Sequence, residues 1–294
     1  IDRLLGLVRV PQMQHVGVLV DNSKNLRDLT AAAQNIETSF HQPLSIYLEV
    51  DAGQGRCGVP PPPKSDQALQ LARAITSVSG DQIRFGGIHC YQGILQHIRD
   101  PEARRSAVMD GPVKAARDTV KLLAENGINV PVVTGAGTGT YLFECEGGVH
   151  TEIQPGSFAF MDADYGANTG MPSFQQSLFV LSTVISKPEP GRIICDAGTK
   201  AVDQLSGPPS VFSLPMEGNA APCKFNMEYR CGGDEHGILV GEDTSKLDVG
   251  DKLLLQPSHC DPTVNLYDSI HYIRDFNGPS VDTVFDIEAR GPGT

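Results

Sequence analysis

No tryptophan occurs in this chain of 294 residues, and no apolar run approaches the ~18 residues that a membrane-spanning helix requires. Lysine and arginine never cluster among aromatic residues. With 23 basic against 35 acidic residues the formal net charge is −12, so neither nucleic acid nor a membrane is an expected partner. The seven cysteines are odd in number and show no Cys-x-x-Cys spacing. That fits reduced thiols in a cytoplasmic protein better than a disulfide framework. No secretory signal pattern is visible. An initiator methionine is also lacking. Ile1 lies inside an apolar-patterned segment, and the expectation is that the natural N-terminus lies further upstream.

What is present is ample apolar material. At 40% apolar residues the chain can fill a sizeable core, and its length suits roughly two domains of ~150 residues, or a large barrel with a small domain. The first half alternates two periodicities. Segments 15–21, 44–51, 83–91, 130–134 and 151–161 read as strands. Segments Ser23 to Phe40, Ser65 to Gly80 and Pro112 to Asn126 read as helices. Such a βα repeat implies a parallel sheet. A closed (β/α)8 barrel takes eight units of roughly 30 residues, so three units, on the order of 90 residues, are missing at the front. After about Asn168 the segments shorten and no strong helix pattern remains. The expected organisation is α/β: a partial barrel over residues 1–174, followed by a smaller all-β domain over residues 175–294.

Three strand ends carry candidate chemistry, at the side where barrel enzymes build their sites. Thr134-Gly135-Ala136-Gly137-Thr138-Gly139-Thr140-Tyr141 combines small residues with the hydroxyls of Thr138 and Thr140, which suits a phosphate; a flexible glycine-rich turn is the plain alternative. Asp51-Ala52-Gly53-Gln54-Gly55-Arg56-Cys57-Gly58 turns tightly and offers Arg56, a permanent cation suited to a phenolate or carboxylate. Gly87-Ile88-His89-Cys90-Tyr91-Gln92-Gly93 places His89 and Tyr91 on one face, either against a planar cofactor or as aromatic filling. Finally, His259-Cys260-Asp261 follows a short strand. In extended backbone positions i and i+2 share a face, so His259 and Asp261 form half of a divalent-metal site, with positions left for water or substrate. A hydrogen-bonded pair near a turn is the alternative.

The segments DAGQGRCGV, GIHCYQG, TGAGTGTY, TEIQPGSFAFMDADYG, DAGTK, DEHG and HCDPTVNLYD occur in that order. Together they resemble the D-threonine aldolase and D-serine dehydratase family, pyridoxal-phosphate (PLP) enzymes of the alanine-racemase-like fold. The resemblance spans essentially the whole chain and is nearest to D-threonine aldolase. It implies a PLP-binding barrel, a C-terminal β-domain with the metal site, and a homodimer. It implies that Arg56 contacts the cofactor's phenolic oxygen, that Tyr91 lies against the pyridine ring and that Gln154 faces the ring nitrogen. Gly137, Thr138, Gly139 and Thr140, with Gly156 and Ser157, would hold the phosphate. Tyr165 would shape the pocket. His259 and Asp261 would hold a divalent metal beside the substrate's β-hydroxyl. D-Serine dehydratases of this family use a His-x-Cys pair with zinc, whereas here the second position is Asp261. Oxygen ligation favours Mn²⁺ foremost, with Mg²⁺, Co²⁺ or Zn²⁺ as alternatives.

The implied activity is a carbon–carbon lyase acting on D-3-hydroxy amino acids, converting D-threonine to glycine and acetaldehyde by retro-aldol cleavage. Dehydration of D-serine or 3-hydroxy-D-aspartate to a 2-oxo acid and ammonia is the alternative. His97, after a barrel strand, and His236 are the candidate bases. One departure stands out. The family carries its cofactor lysine in a His-x-Lys-Thr-His context on the first barrel strand, and no such segment occurs here. Lys200 belongs to a different motif and reads as structural. A lost N-terminal piece accounts for the missing strands, methionine and lysine together. The enzyme reading requires that piece, and a non-catalytic PLP-binding remnant is the further alternative. An open barrel exposes strand edges, so poor solubility is expected.

Overall fold

A short helix, α1 (Asp2–Leu7), leads into a regular βα alternation in this computed structural model. The order is β1 (Gly17–Val20), α2 (Ser23–Gln34), β2 (Leu44–Glu49), α3 (Gln67–Ser77), β3 (Ile83–Cys90), α4 (Pro101–Val108), α5 (Lys114–Glu125), β4 (Val132–Gly135), α6 (Tyr141–Gly147) and β5 (Glu152–Ile153). The structure describes residues 1–36, 41–215, 221–274 and 281–291. The five strands form one sheet in chain order, and every neighbouring pair is parallel. Residues Ile1–Gly156 make one compact unit.

The two faces of this sheet differ in chemistry. Leu44, Ile46, Leu48 and Val50 alternate onto one face, where they pack with Leu26 and Leu29 of α2, Leu71 and Ile75 of α3 and Leu123 of α5. Each such side chain contributes roughly 1.5–3 kcal/mol by leaving water. Ser45, Tyr47 and Glu49 take the opposite face. There Arg84 donates to Ser45 Oγ at 2.7 Å and meets His15 at 3.0 Å, and His15 meets the Tyr47 hydroxyl at 3.1 Å. The usual layered aliphatic filling of a barrel is replaced by a polar network. A bulge between β2 and β3 adjusts the register. It is possible because Gly87 has φ of 135°, and a Cβ there would lie 1.9 Å from the Val132 carbonyl oxygen.

Several boundaries differ from the sequence reading. The expected strand 151–161 is paired only at Glu152–Ile153, because Pro155 lacks a ladder N–H and a 3₁₀ turn follows at Ser157–Ala159. The helix expected from Pro112 starts at Lys114, after a wide turn in which Gly111 leaves helical geometry. The helix expected to reach Phe40 ends at Gln34, and residues 37–40 lie outside the described ones. The helix expected from Ser65 starts at Gln67: Asp66 holds the N-cap position, and the Ser65 hydroxyl accepts from the Gln67 amide at 3.1 Å. Helix α4, absent from the sequence reading, starts from an Asp100 cap with Pro101 in its first turn.

Residues Ser157–Thr294 form the second compact unit. It contains α7 (Ala163–Gly166), β6 (Val180–Glu189), β7 (Arg192–Cys195), β8 (Ser210–Ser213), β9 (Met227–Cys231), β10 (Gly237–Gly241), β11 (Lys252–Gln256), α8 (Cys260–Val264), β12 (Ser269–Tyr272) and β13 (Thr283–Asp286). Residues 157–174, which the sequence reading groups with the barrel, fall here. Six strands pair antiparallel in the order β8-β11-β6-β7-β10-β9, and β12 and β13 form a separate hairpin. Val184, Ile193, Val211, Leu239, Leu253 and Leu255 are its core. Among the described residues no helix is long and apolar enough to cross a membrane.

Candidate functional site

The loop after β2 is folded by its own first residue. Asp51 Oδ1 accepts from the amides of Gly53 and Gly55 at 2.9 and 3.0 Å. Gln54 Oε1 then accepts from Gly93 N at 2.9 Å, which ties this loop to the one after β3. The tie carries Arg56 over the Tyr91 ring, with the guanidinium carbon 5.5 Å from the ring centroid. Tyr91 in turn stacks beside His89, ring centroids 6.3 Å apart.

His89 is not aromatic filling. Its Nδ1 pairs with the buried Glu49 carboxylate, and its Nε2 faces Gln154 Oε1 at 3.2 Å. Gln154 Nε2 donates to Thr134 Oγ at 2.9 Å, and Thr134 donates to Glu152 at 2.6 Å. The polarity of this chain is forced. Thr134 gives its single proton to Glu152, so it accepts from Gln154, and the Gln154 oxygen is left to accept from His89. Both ends of the Gln154 amide are therefore engaged with protein.

The glycine-rich loop after β4 is buried from Thr134 to Thr140. Ala136 holds φ of 63°, a left-handed conformation that costs roughly 1–3 kcal/mol outside glycine. The loop is built around Gln96, which is fully buried. Gln96 Oε1 accepts from Gly139 N at 2.8 Å and Gln96 Nε2 donates to Thr140 Oγ at 2.7 Å. A Cβ on Gly139 would lie 2.4 Å from the Gln96 carbonyl oxygen. The sequence expectation that both threonine hydroxyls and the loop amides are open to a phosphate is thus corrected at two atoms: the Gly139 amide serves Gln96, and the Thr140 hydroxyl donates to Glu144 at 2.9 Å. Gly156 is different, because a Cβ there meets open space. Ser157 is buried.

In the second unit, Asp162 organises the His259 segment, and sequence reasoning did not single it out. It is fully buried. Its Oδ1 caps α7 by accepting from Tyr165 N at 2.8 Å, and its Oδ2 accepts from Cys260 N at 3.3 Å and lies 3.4 Å from His259 Nδ1. The available signal was an aspartate at the head of Ala163-Asp164-Tyr165-Gly166, the position of an N-cap. Main-chain bonds from Ala163 N to Pro257 O (3.0 Å) and from Asp164 N to Ser258 O (3.4 Å) hold the two segments together. The Tyr165 ring lies 6.5 Å from that of His259.

The i, i+2 argument for His259 and Asp261 does not hold in its simple form. His259 is extended (φ −142°, ψ 131°), but it caps α8, and Asp261 already lies in that helix's first turn. The two remain electrostatically coupled. The Asp162 hydrogen bond first, then the charges of Asp261, Asp162 and Asp203, hold the His259 imidazole above its ordinary pKa against the opposing effect of burial. Cys260 is turned away: its Sγ donates to Met161 O at 3.4 Å, and burial pushes the thiol up to about 12.

His97 ends a 3₁₀ turn and is exposed, while its neighbour Gln96 turns inward. His236 is exposed in the turn between β9 and β10. Among the described residues no group of three or more His, Cys, Asp or Glu side chains surrounds a common point. The donor set nevertheless fits an open divalent site: an imidazole whose Nδ1 is already oriented by a carboxylate, leaving Nε2, and a nearby Asp261 oxygen. The Arg56–Tyr91 stack likewise fits a flat ring bearing a phenolate.

Two family models match the chain. "Alanine racemase, N-terminal domain" covers residues 7–164, and "Putative serine dehydratase domain" covers residues 177–273. A D-threonine aldolase from Arthrobacter sp. is 39% identical over 292 residues, 98% of this chain and 71% of that protein. A 3-hydroxy-D-aspartate aldolase from Paracoccus denitrificans (strain Pd 1222) is 37% identical over 300 residues, 100% of this chain and 71% of that protein. The crystal structure of D-threonine aldolase from Filomicrobium marinum superposes with a TM-score of 0.84 at 35% identity, covering 97% of this chain and 72% of that one.

Proposed function

Since the chain belongs to the D-threonine aldolase family, on an alanine-racemase-like fold, we propose that it is a PLP- and divalent-metal-dependent lyase of D-3-hydroxy amino acids, taking D-threonine to glycine and acetaldehyde. The observation that carries this reading is the His259 segment. An imidazole oriented by Asp162 and coupled to Asp261, beside a cysteine whose thiol donates to the Met161 carbonyl, supports oxygen-and-nitrogen ligation of Mn²⁺ over thiolate-bound zinc.

In this reading each residue has one task. Arg56 binds the cofactor's phenolic oxygen, and Tyr91 packs on its ring. Gln154, held by His89 and Thr134, presents its amide edge to the ring nitrogen. Gly137, Thr138, Gly139 and Thr140, with Gly156 and Ser157, would line the phosphate, the Gly139 amide staying with Gln96, and Tyr165 would shape the substrate's surroundings. When bound, PLP supplies an electron sink for the substrate's α-carbon. His259 and Asp261 hold the cation, which supplies Lewis-acid assistance at the β-hydroxyl. Asp162 keeps the imidazole in its ligating orientation. His97 or His236 accepts the hydroxyl proton. The functional division near residue 174, a homodimeric working form and a cytoplasmic location belong to the same proposal.

The similarity to a 3-hydroxy-D-aspartate aldolase favours one second reading, in which the substrate carries a carboxylate in place of the methyl group. The test is product analysis with the full gene product, PLP and Mn²⁺. Glycine with acetaldehyde from D-threonine supports the first reading. Glycine with glyoxylate, from 3-hydroxy-D-aspartate only, supports the second. A 2-oxo acid with ammonia overturns both in favour of a dehydratase. His97→Ala and His236→Ala variants test the base: full retro-aldol rate in both places it elsewhere.

A further inference from the structure

Behind the glycine-rich loop lies a buried cluster that the reaction leaves unused. Glu144, on α6, is 1% exposed, and among the described residues its Oε2 has no hydrogen-bond partner. Its Oε1 accepts from the Thr140 hydroxyl at 2.9 Å. No cation pairs with it among the described residues. Arg105 on α4 is taken by Glu146, Arg104 on the same helix donates to the carbonyls of Ile98 and Arg99, and Asp110 receives the Ser106 hydroxyl. The Cys90 thiol, at the end of β3, feels the Glu144 charge. Tyr141, Cys145 and Glu146 are the other titratable groups of α6, with Cys145 and Glu146 exposed; His97 and Glu102, from the neighbouring turn and α4, are exposed as well.

The hydrogen bonds around Thr140 have one allowed polarity. Gln96 Nε2 donates to Gln92 O at 3.3 Å, and Gln96 Oε1 accepts from Gly139 N. The amide is therefore fixed, and Thr140 Oγ must accept from it. The only proton on that oxygen goes to Glu144. While Glu144 is a carboxylate, the Thr140 side chain has no proton to offer a phosphate.

We propose that Glu144 takes up a proton when the loop binds a phosphate ester, and that this proton reverses the Thr140 hydroxyl so that it donates to the phosphate. The step balances as one solvent proton added to Glu144. The carboxylic acid then donates to Thr140 Oγ, and the Thr140 O–H turns to the ligand. Glu144 is a positioning residue acting through Thr140. The inference rests on the reading that this loop holds the PLP phosphate. Burial agrees with it, because it pushes the Glu144 carboxyl up to about 7 against the opposing Thr140 bond, within reach of neutral solution. An ionised carboxylate behind a phosphate dianion would also repel it.

The probe is pyridoxine 5′-phosphate, which carries the phosphate and ring but cannot condense with an amine. Binding is measured by calorimetry between pH 7 and 9, above the second ionisation of a phosphate ester near 6, in buffers of different ionisation enthalpy. The expected result is uptake of close to one proton per ligand at pH 8, with the dissociation constant rising about tenfold per pH unit. Glu144→Gln should bind with no uptake and a flat profile. Binding without uptake in the unaltered protein, a measurement that needs no variant to fold, overturns the role of Glu144 and leaves the PLP reading intact. Equal uptake in Glu144→Gln also overturns it. Absence of any binding overturns the inference and the PLP reading together.

Discussion

The residues expected to serve PLP and those expected to serve the metal are held in place by different means. In the first unit, Glu49 pairs with His89, hydrogen bonds run on from His89 through Gln154 and Thr134 to Glu152, and Gln96 clamps the glycine-rich loop from within. Every member is fixed by protein partners before any ligand arrives. In the second unit, the His259 imidazole lies 3.4 Å from Asp162 and beside the Tyr165 ring, and Asp261 sits in the first turn of a short helix, coupled to His259 through charge. A large, flat cofactor demands a rigid bed, and protein hydrogen bonds can supply one. A cation supplies its own ordering energy, so its ligands need only be aimed. Cuts on the first side should therefore cost stability, and cuts on the second side should cost affinity and rate.

That contrast yields graded outcomes. Asp261→Ala should lower the retro-aldol rate more than about 100-fold, above the range seen when only an orienting partner is lost, with an unchanged melting temperature in the absence of metal. A normal rate at equal Mn²⁺ would break the metal side of the comparison. Asp162→Asn should weaken Mn²⁺ binding by about 10–100-fold, as read by paramagnetic titration. An unaltered titration would remove Asp162 from the account. Gln96→Ala should destabilise the protein by about 3 kcal/mol, since it opens a cavity and strands the buried Gly139 amide. Denaturant unfolding within error of the unaltered protein would show that the loop is not clamped. Lys200→Ala should change stability by less than about 1 kcal/mol and leave the rate alone, because the Lys200–Glu235 pair is exposed. A large loss of rate there would mean that the Asp-Ala-Gly-Thr-Lys segment is catalytic.

Much of this was legible in the residues. Strand β2 reads directly from LSIYLE, and β7 and β11 from their apolar runs, because buried strands are continuous or alternating and their turns carry glycine, proline and aspartate. Helix α6 was not legible: seven residues with two glutamates show no apolar stripe, and no local pattern tells that Glu144 is buried against Thr140 of the preceding loop. The clamp formed by Gln96 was not legible for a related reason. Composition marks histidine as chemical, but a 3₁₀ turn decides which neighbour faces inward. Arg56 and Tyr91 were each proposed from separate loops, and their stacking depends on the Gln54–Gly93 bond, a long-range contact that no local pattern encodes. His259 and Asp261 were singled out for a geometric reason that the α8 helix replaces.

The most direct test of the account is glycine release from D-threonine by the PLP-supplied gene product, measured across a Mn²⁺ titration for the unaltered protein and for Asp261→Ala. The account predicts saturable, Mn²⁺-dependent formation of glycine and acetaldehyde in equal amounts, abolished by a chelator and nearly absent in the variant. Glycine formed at the same rate with chelator present, or 2-oxobutanoate in its place, would contradict it.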